Sequence, residues 1–139
     1  MTIWKSPMTP EQINSMENTI VNHLDIKITE VGDDYIKATM PVDHRTHQPM
    51  GILHGGASVV LAETLGSIAA HMAGEPGTYS VGLEVNANHV RSVSKGLVTG
   101  VGRPVHVGRT TQIWDIKIVD EEGKTVCVSR LTMAVLNNK

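Results

Sequence analysis

Glu63 is the residue whose type and surroundings most clearly suggest chemistry. It is the only charged residue between Gly55 and Ala70, and its neighbours there are small or apolar. Burying a carboxylate without a partner is costly. Either a cation pairs with Glu63 at the edge of a helix, or the carboxylate is kept free to act as a general base or nucleophile. The residues alone leave both interpretations open.

The stretch just before Glu63 predicts a binding site for an oxygen anion. A turn containing Pro49 and Gly51 leads into His54-Gly55-Gly56, so the chain enters the predicted helix through residues that are mostly without large side chains. The first backbone N–H groups of a helix have no partner within the helix and lie at the positive end of its dipole. We expect them to hold an anion or an oxyanion.

One copy of this helix cannot bring both features to the same reacting group. Gly55 and Glu63 are eight positions apart, which is roughly 12 Å along a helix axis. A donor and a base that act on one carbonyl must both lie within about 3 Å of the reacting atoms. If the two features serve one reaction, two antiparallel copies of the helix must meet, which predicts a two-fold homodimer with shared sites.

Three segments in order resemble a known family: QPMGILHGGAS from Gln48, AET around Glu63 and GLEVNANHVR from Gly82. With them the chain resembles the hotdog-fold acyl-CoA thioesterases over about residues 4–136. It is most similar to the bacterial branch that holds 1,4-dihydroxy-2-naphthoyl-CoA hydrolases and enterobactin-pathway proofreading thioesterases. The resemblance implies hydrolysis of an aryl or polyketide-like acyl-CoA. Its leading expectation is 1,4-dihydroxy-2-naphthoyl-CoA of menaquinone synthesis.

The resemblance also implies roles for five candidate catalytic residues. Gly55 would hold the thioester oxygen through its N–H, with Gln48 on the same subunit and His54 beside the thioester. Glu63 would act from the other subunit together with Ser67, either attacking the carbonyl or activating water. Each helper has a structural alternative: Ser67 as a small packing residue, His54 as a turn-capping imidazole, and Gln48 as a loop residue that satisfies backbone groups.

Coenzyme A enters this reaction as part of the substrate, so no separate cofactor is expected. Its phosphates need cations and N–H donors near a surface. The residues that match nucleotide-holding segments of the family are Gly82, His89, Val90, Arg91, Ser92, His106, Val107, Gly108, Arg109, Thr110 and Thr111. Taken singly, each of them is also compatible with a solvated surface.

Composition narrows the remaining classes of function. The 139 residues predict one domain, 1–139. A formal charge of −2, a pI near 6.4 and 3% aromatic residues argue against nucleic-acid binding. The single cysteine, Cys127, excludes an intrachain disulfide, and the N-terminus shows no leader pattern. From these two features we expect a cytoplasmic protein. The apolar stretch from Gly55 to Ala70 is too short to span a bilayer and contains Glu63, so we expect no membrane span.

Two other catalytic classes lack support in the sequence. His44, His47 and His54 fall in one loop region, but their spacing matches no zinc pattern, so we expect no metal. A Ser-His-Asp hydrolase is not indicated either, since the chain has no GxSxG motif.

Hydrophobic periodicity predicts an α+β chain with a single long helix. A short helix is expected over about 9–22, starting with Thr9-Pro10, and the long helix over about 53–72. Alternating apolar residues predict six strands, near 24–28, 36–42, 81–89, 97–101, 114–118 and 127–135. Along the third strand, Val81, Leu83, Val85, Ala87 and His89 are expected to share one face. An antiparallel sheet wrapped around a central helix follows, and the resemblance implies the same hotdog fold.

Two rival functions remain at this point. A non-catalytic acyl-CoA-binding module would keep Arg91, Arg109 and the helix-start donors without needing Glu63. A carrier-protein thioesterase would use the same carboxylate on a different thioester. In either case the resemblance implies homodimers that associate further as dimers of dimers.

Overall fold

The computed structural model describes residues 1–138. It contains three helices and six strands, all within one sheet and the segments packed on it. Their bounds are α1 Pro10–Asn14, α2 Ile20–His23, β1 Lys27–Val31, β2 Ile36–Pro41, α3 Gly55–Ala73, β3 Thr78–His89, β4 Leu97–Val107, β5 Thr111–Val119 and β6 Thr125–Asn137.

The sheet is antiparallel and its strands lie in the order β1-β2-β4-β5-β6-β3. Helix α3 packs on the sheet and contacts β2, β3, β4, β5 and β6. The predicted hotdog architecture, six strands around one long helix, is therefore confirmed. Among residues 1–138, strand β3 pairs only with β6, so its other edge is open along twelve residues in this part of the chain.

One face of α3 is buried against the sheet, because small and branched residues recur there at helical spacing. Leu61, Leu65 and Ala69 have no exposed surface. Gly66 allows the closest approach: a Cβ atom at this position would overlap the side chain of Leu131 on β6. This close packing holds α3 in place and turns its opposite face, with Glu63, outward.

Buried polar groups fix the far end of α3. Gln112 is 1% exposed; its Nε2 donates to the Ala70 carbonyl at 3.2 Å, and its Oε1 accepts from Trp114 Nε1 at 2.8 Å. The Trp114 ring stacks on Trp4 of the N-terminal arm with a centroid distance of 6.0 Å. Satisfied bonds of this kind specify one arrangement of helix, sheet and arm.

The predicted helix over 9–22 is wrong as a single element. Two short helices replace it, with Asn18 between them in the left-handed region at φ 62°. Each has its own capping box, formed by Thr9 with Gln12 and by Thr19 with Asn22. A second N-cap three residues before the expected helix end starts a new helix rather than continuing the old one.

The predicted face of β3 is also wrong in part. Val85 and Ala87 are half-buried, whereas Val81 and Leu83 are 41% and 63% exposed. The register with β6 shifts between Gly82 and Glu84, which marks a β-bulge. An extra residue reverses the alternation of faces, so side chains on either side of the bulge cannot follow one pattern.

Helix α3 is longer than the stretch from Gly55 to Ala70 considered in the sequence. By length and a mean hydropathy of 1.2 it would qualify as a membrane span, but 56% of that window is buried inside the fold. The core helix of a sheet-wrapped protein passes the same test, and its contacts with five strands account for its apolar character.

Candidate active site

Glu63 lies on the outward face of α3, next to strand β3. A Cβ atom placed on Gly82 would be 2.5 Å from the Glu63 Oε2 atom, so the strand passes directly beside the carboxylate. Within residues 1–138, Glu63 makes no ion pair and no side-chain hydrogen bond. No cation of the described residues therefore pairs with Glu63, and both carboxylate oxygens are without a partner in this part of the chain.

An open cavity of about 460 Å³ begins at Glu63. Its walls come from α3 on one side and the N-terminal helices on the other, and they are mostly apolar. The lining residues are Ile13, Met16, Thr19, Ile20, Val21, Val60, Glu63, Thr64, Ser67 and Ile68. A mostly apolar cavity with one carboxylate at its edge suits the apolar acyl part of a substrate.

Ser67 lines the same cavity one helical turn after Glu63. Its Oγ atom lies 3.9 Å from Met133 Sδ, a weak acceptor, and forms no hydrogen bond with Glu63. The hydroxyl therefore remains available to a ligand or a water in the cavity. Ser67 and Glu63 share one helix face, as predicted, whereas the catalytic role of Ser67 stays a prediction.

The first turn of α3 leaves one backbone N–H free. The Gly56 N–H donates to His54 Nδ1 at 2.7 Å, and the N–H groups of Ala57 and Ser58 point to the His54 carbonyl at 3.0 and 3.3 Å. The Gly55 N–H donates to no acceptor within residues 1–138. Gly55 is therefore the helix-start donor that can hold an oxyanion.

His54 is the N-cap residue of α3, so the turn-capping alternative is correct for one of its ring nitrogens. Because Nδ1 accepts the Gly56 N–H, the neutral imidazole carries its proton on Nε2. The ring is exposed, and this Nε2–H can donate to a substrate carbonyl. Capping and catalysis are therefore compatible in one side chain.

Gln48 is likewise held through one end of its side chain. Its Oε1 accepts from the Met50 N–H, and its backbone N–H donates to the Ile52 carbonyl at 2.9 Å. The Nε2 group is left as a free donor. Gln48 shares a cavity of about 430 Å³ with Gly55, His89, Val90, Arg91 and Ser92.

Buried Thr46 fixes the loop that carries these donors, a role that sequence reasoning missed. Its Oγ1 donates to the Pro41 carbonyl at 2.9 Å, and its own carbonyl accepts the His54 N–H at 2.8 Å. Near it, His47 Nε2 lies 2.8 Å from the Ser94 carbonyl. Arg45 donates to the Asp43 carboxylate through its side chain and backbone and lowers the Asp43 pKa to about 2.

The predicted nucleotide-binding residues fall into separate places in one chain. His89 to Ser92 lie beside the helix start, where a Cβ atom on Gly55 would be 2.8 Å from His89 Nε2. Gly82 lies at Glu63. The turn with Val107, Gly108, Arg109 and Thr110 lines a cavity of about 550 Å³ near the C-terminal end of α3, with His106 just before it and Thr111 just after it.

The charged groups of these segments are open to an anion. Within residues 1–138, Arg91 and Arg109 form no salt bridge, and Arg91 donates only to the Thr125 carbonyl at 3.3 Å. Both side chains are exposed.

By contrast, a cavity of about 700 Å³ on the sheet, lined by Arg103, Lys117 and Arg130 among others, contains none of the predicted site residues.

Two other chemistries find no site in the described chain. No three His, Cys, Asp or Glu side chains of residues 1–138 gather to hold a metal. Cys127 is buried, and burial raises the pKa of its thiol, so it offers no thiolate nucleophile.

Comparison with known proteins agrees with this geometry. The sequence profile of the thioesterase superfamily matches residues 50–127, more than half of the chain. The chain is 54% identical to the 1,4-dihydroxy-2-naphthoyl-CoA hydrolase of Escherichia coli, covering 96% of this chain and 99% of that one. It is 53% identical to the proofreading thioesterase EntH of Cronobacter turicensis, covering 96% and 98%.

A solved structure matches as closely. A thioesterase from Haemophilus influenzae superposes with a TM-score of 0.93 at 52% identity, over 98% of this chain and 96% of that one. The matched family, the fold and the unpaired carboxylate at an apolar cavity all indicate a thioester hydrolase. This chain belongs to the thioesterase superfamily, and it is a hotdog-fold thioester hydrolase.

Proposed function

We propose that this protein hydrolyses aryl-CoA thioesters, with 1,4-dihydroxy-2-naphthoyl-CoA of menaquinone synthesis as the preferred candidate. The observation that carries the proposal is the unpaired Glu63 carboxylate at the edge of the apolar cavity. The cavity supports an aromatic acyl group, since about 460 Å³ is well above the ~150 Å³ that holds a benzene ring. The name of the Escherichia coli relative supports the substrate.

The complete site is shared between two copies of the chain. Helix α3 and β3 run in opposite directions, because Gly55 lies beside His89 and Glu63 lies beside Gly82. Suppose that the open edges of two β3 strands pair antiparallel, with Gly82 opposite His89 of the partner subunit. Because the bulge between Gly82 and Glu84 adds one residue, the two-fold axis then passes beside Asn86, and Glu63 faces the partner's Gly55.

The same pairing gathers the two basic segments into one nucleotide site. The Thr110 carbonyl accepts from Val135, which pairs with Ser80 on β3, so the Arg109 turn adjoins the strand just before Gly82. Arg91 of the partner subunit follows the partner's His89 by two residues in the chain. In this pairing it therefore lies on the side of that turn. The phosphates of coenzyme A would therefore meet one arginine from each chain, in a cytoplasmic dimer that we expect to associate as a dimer of dimers.

The groups present suffice for thioester hydrolysis. Water activated by Glu63, or the Glu63 carboxylate itself, attacks the carbonyl carbon, and the carbonyl electron pair moves to oxygen. The Gly55 N–H and the His54 Nε2–H of the partner subunit stabilise that oxyanion, each donor contributing about 3 kcal/mol. Collapse breaks the C–S bond, the proton that Glu63 takes from water passes to the coenzyme A thiolate, and the products leave as the thiol and the acid. Direct attack adds one step, the hydrolysis of an acyl-Glu63 anhydride.

A carrier-protein thioester is the second candidate substrate, because the chain is 53% identical to a proofreading thioesterase. The catalytic groups would be the same, and only the thiol carrier would differ. The relative rates on coenzyme A and carrier-protein thioesters of one aryl acid decide between them.

Thiol release from purified protein tests the proposal. Substrates are aryl-CoA, fatty acyl-CoA and aryl carrier protein; variants are Glu63→Gln and, as a matched control on an exposed turn, Glu122→Gln. We expect Glu63→Gln to lose about 100-fold or more in kcat and Glu122→Gln to match the wild type. Equal activity of Glu63→Gln would remove the carboxylate from the mechanism. Acyl-CoA binding without thiol release would identify a binding module instead.

A further inference from the structure

The cavity beside Glu63 has two unlike walls. Val60, Thr64 and Ile68 form one wall, and they belong to a helix of 19 residues that is buried along its other face. Met16 and Ile20 belong to the other wall, which comes from two helices of five and four residues and from the link between them, where Met16 lies. One wall is fixed by the core, whereas the other depends on a short surface segment.

That short segment is attached to the rest of the fold mainly at its ends. Ile13 is 4% exposed, and Asn14 exchanges hydrogen bonds with Ile28 on β1 at 2.8 and 2.9 Å. Between Ser15 and Leu24, the hydrogen bonds of the described chain stay within residues 12–26, and α2 buries no residue. On each side of α2 lies a residue whose backbone is in the left-handed region, Asn18 at φ 62° and Asp25 at φ 55°.

Two apolar side chains of this segment line the cavity and are exposed to solvent. Met16 is 49% exposed and Ile20 is 55% exposed, although both line the cavity at Glu63. Removing apolar surface from water is favourable in proportion to its area, so an acyl group that covers them gains binding energy. Methionine adapts its shape to different partners, which suits a wall that must fit a ring.

We infer that Met16 and Ile20 determine which acyl groups the enzyme accepts, by closing the outer wall of the acyl cavity over the second ring of a bicyclic aryl group. A single benzoyl ring bound at Glu63 would contact mainly the α3 wall. It would make less contact with Met16 and Ile20 than a bicyclic ring does. The inference rests on the proposed function for the identity of the occupant. It assigns selectivity to residues outside the catalytic motifs.

A change of acyl preference is the first test. We compare kcat/KM on 1-hydroxy-2-naphthoyl-CoA and benzoyl-CoA for the wild type, Met16→Ala and Ile20→Trp, with Val105→Trp as a matched exposed control on β4. We expect Ile20→Trp to lower the naphthoyl-to-benzoyl ratio by about 10-fold or more, and Met16→Ala to lower it by several-fold through lost contact. Ratios equal to the wild type in both variants would overturn the inference.

A binding measurement keeps the test independent of turnover. In a Glu63→Gln background, the added tryptophan of Ile20→Trp should be quenched by a naphthoyl-CoA thioether, whereas that of Val105→Trp should not. Equal responses of the two tryptophans would overturn the inference. If the wild type hydrolyses no aryl-CoA, the proposed function fails, and this quenching still decides whether the wall contacts the aryl group. Thermal unfolding of each variant checks that the fold is retained.

Discussion

Gly82 leaves the space in which the Glu63 carboxylate sits: a Cβ atom on this strand residue would lie 2.5 Å from Glu63 Oε2. A side chain here would have to displace the Glu63 carboxylate, and backbone conformation does not call for a glycine, because the positive-φ glycines of this chain lie elsewhere. The strand that forms the open sheet edge thus also sets the position of the Glu63 carboxylate.

Substituting Gly82 should therefore impair chemistry more than stability. We expect Gly82→Ala to lower kcat by about 10-fold and Gly82→Val by about 100-fold, because a side chain there displaces the carboxylate by roughly 1 Å or more. Steady-state kinetics and thermal unfolding measure the two effects. Unchanged kcat in Gly82→Val would show that the carboxylate does not act from this position.

Two substitutions at His54 should separate its capping role from its predicted catalytic role. In His54→Asn the Oδ1 atom can still accept the Gly56 N–H, but the Nε2–H donor is lost. We expect native-like stability with kcat lowered by about 100-fold. His54→Ala loses the cap as well and should cost about 1 kcal/mol of unfolding free energy. Wild-type kcat in His54→Asn would exclude the imidazole from oxyanion binding.

The two free arginines should govern substrate binding. Arg91→Ala and Arg109→Ala should each raise KM far more than they lower kcat, since phosphate contacts are equal in the ground state and the transition state. Arg103→Ala, which loses a salt bridge to Asp34 at 3.5 Å, serves as the control and should leave KM unchanged. A fall in kcat alone would count against the nucleotide site.

The loop that carries Gln48 should show an acid-sensitive contribution from Asp43. Its pKa is about 2 in the folded protein, below the ordinary value of 3.8, because Arg45 donates hydrogen bonds to the carboxylate. A lowered pKa stabilises the fold above the unfolded-state value, and that contribution disappears as the pH falls toward 2. Urea unfolding from pH 7 to pH 2 should show Asp43→Asn less stable near neutrality, with the difference vanishing in acid. A difference that is independent of pH would contradict this cause.

The sequence predicted the features that depend on local pattern. Period-two alternation placed six strands, and the long apolar segment around Glu63 predicted the central helix. The β3 bulge escaped because an inserted residue leaves no mark in composition, so Val81 and Leu83 were placed on the wrong face. The break at Asn18 had a visible signal in Thr19 and Asn22, a second capping pair within the predicted helix.

Long-range contacts account for what the sequence could not predict in the site. Nothing local shows that Glu63 lacks a cation, that the His54 ring accepts from Gly56, or that Met16 and Ile20 face the same cavity as Glu63. The predicted site residues were brought into separate cavities of one chain because Gly55 and Glu63 lie at different points along one rigid helix. The proposed pairing of two chains would join them.

Complementation between two inactive variants tests the shared site most directly. Glu63→Ala and His54→Ala are purified separately, mixed under conditions of subunit exchange and assayed for thiol release. If each site takes Glu63 from one chain and His54 from the other, every mixed dimer contains one intact site, and random exchange should restore about a quarter of wild-type activity. No recovery in a mixture shown to contain mixed dimers, or a protein that is active as a monomer, would contradict the shared site.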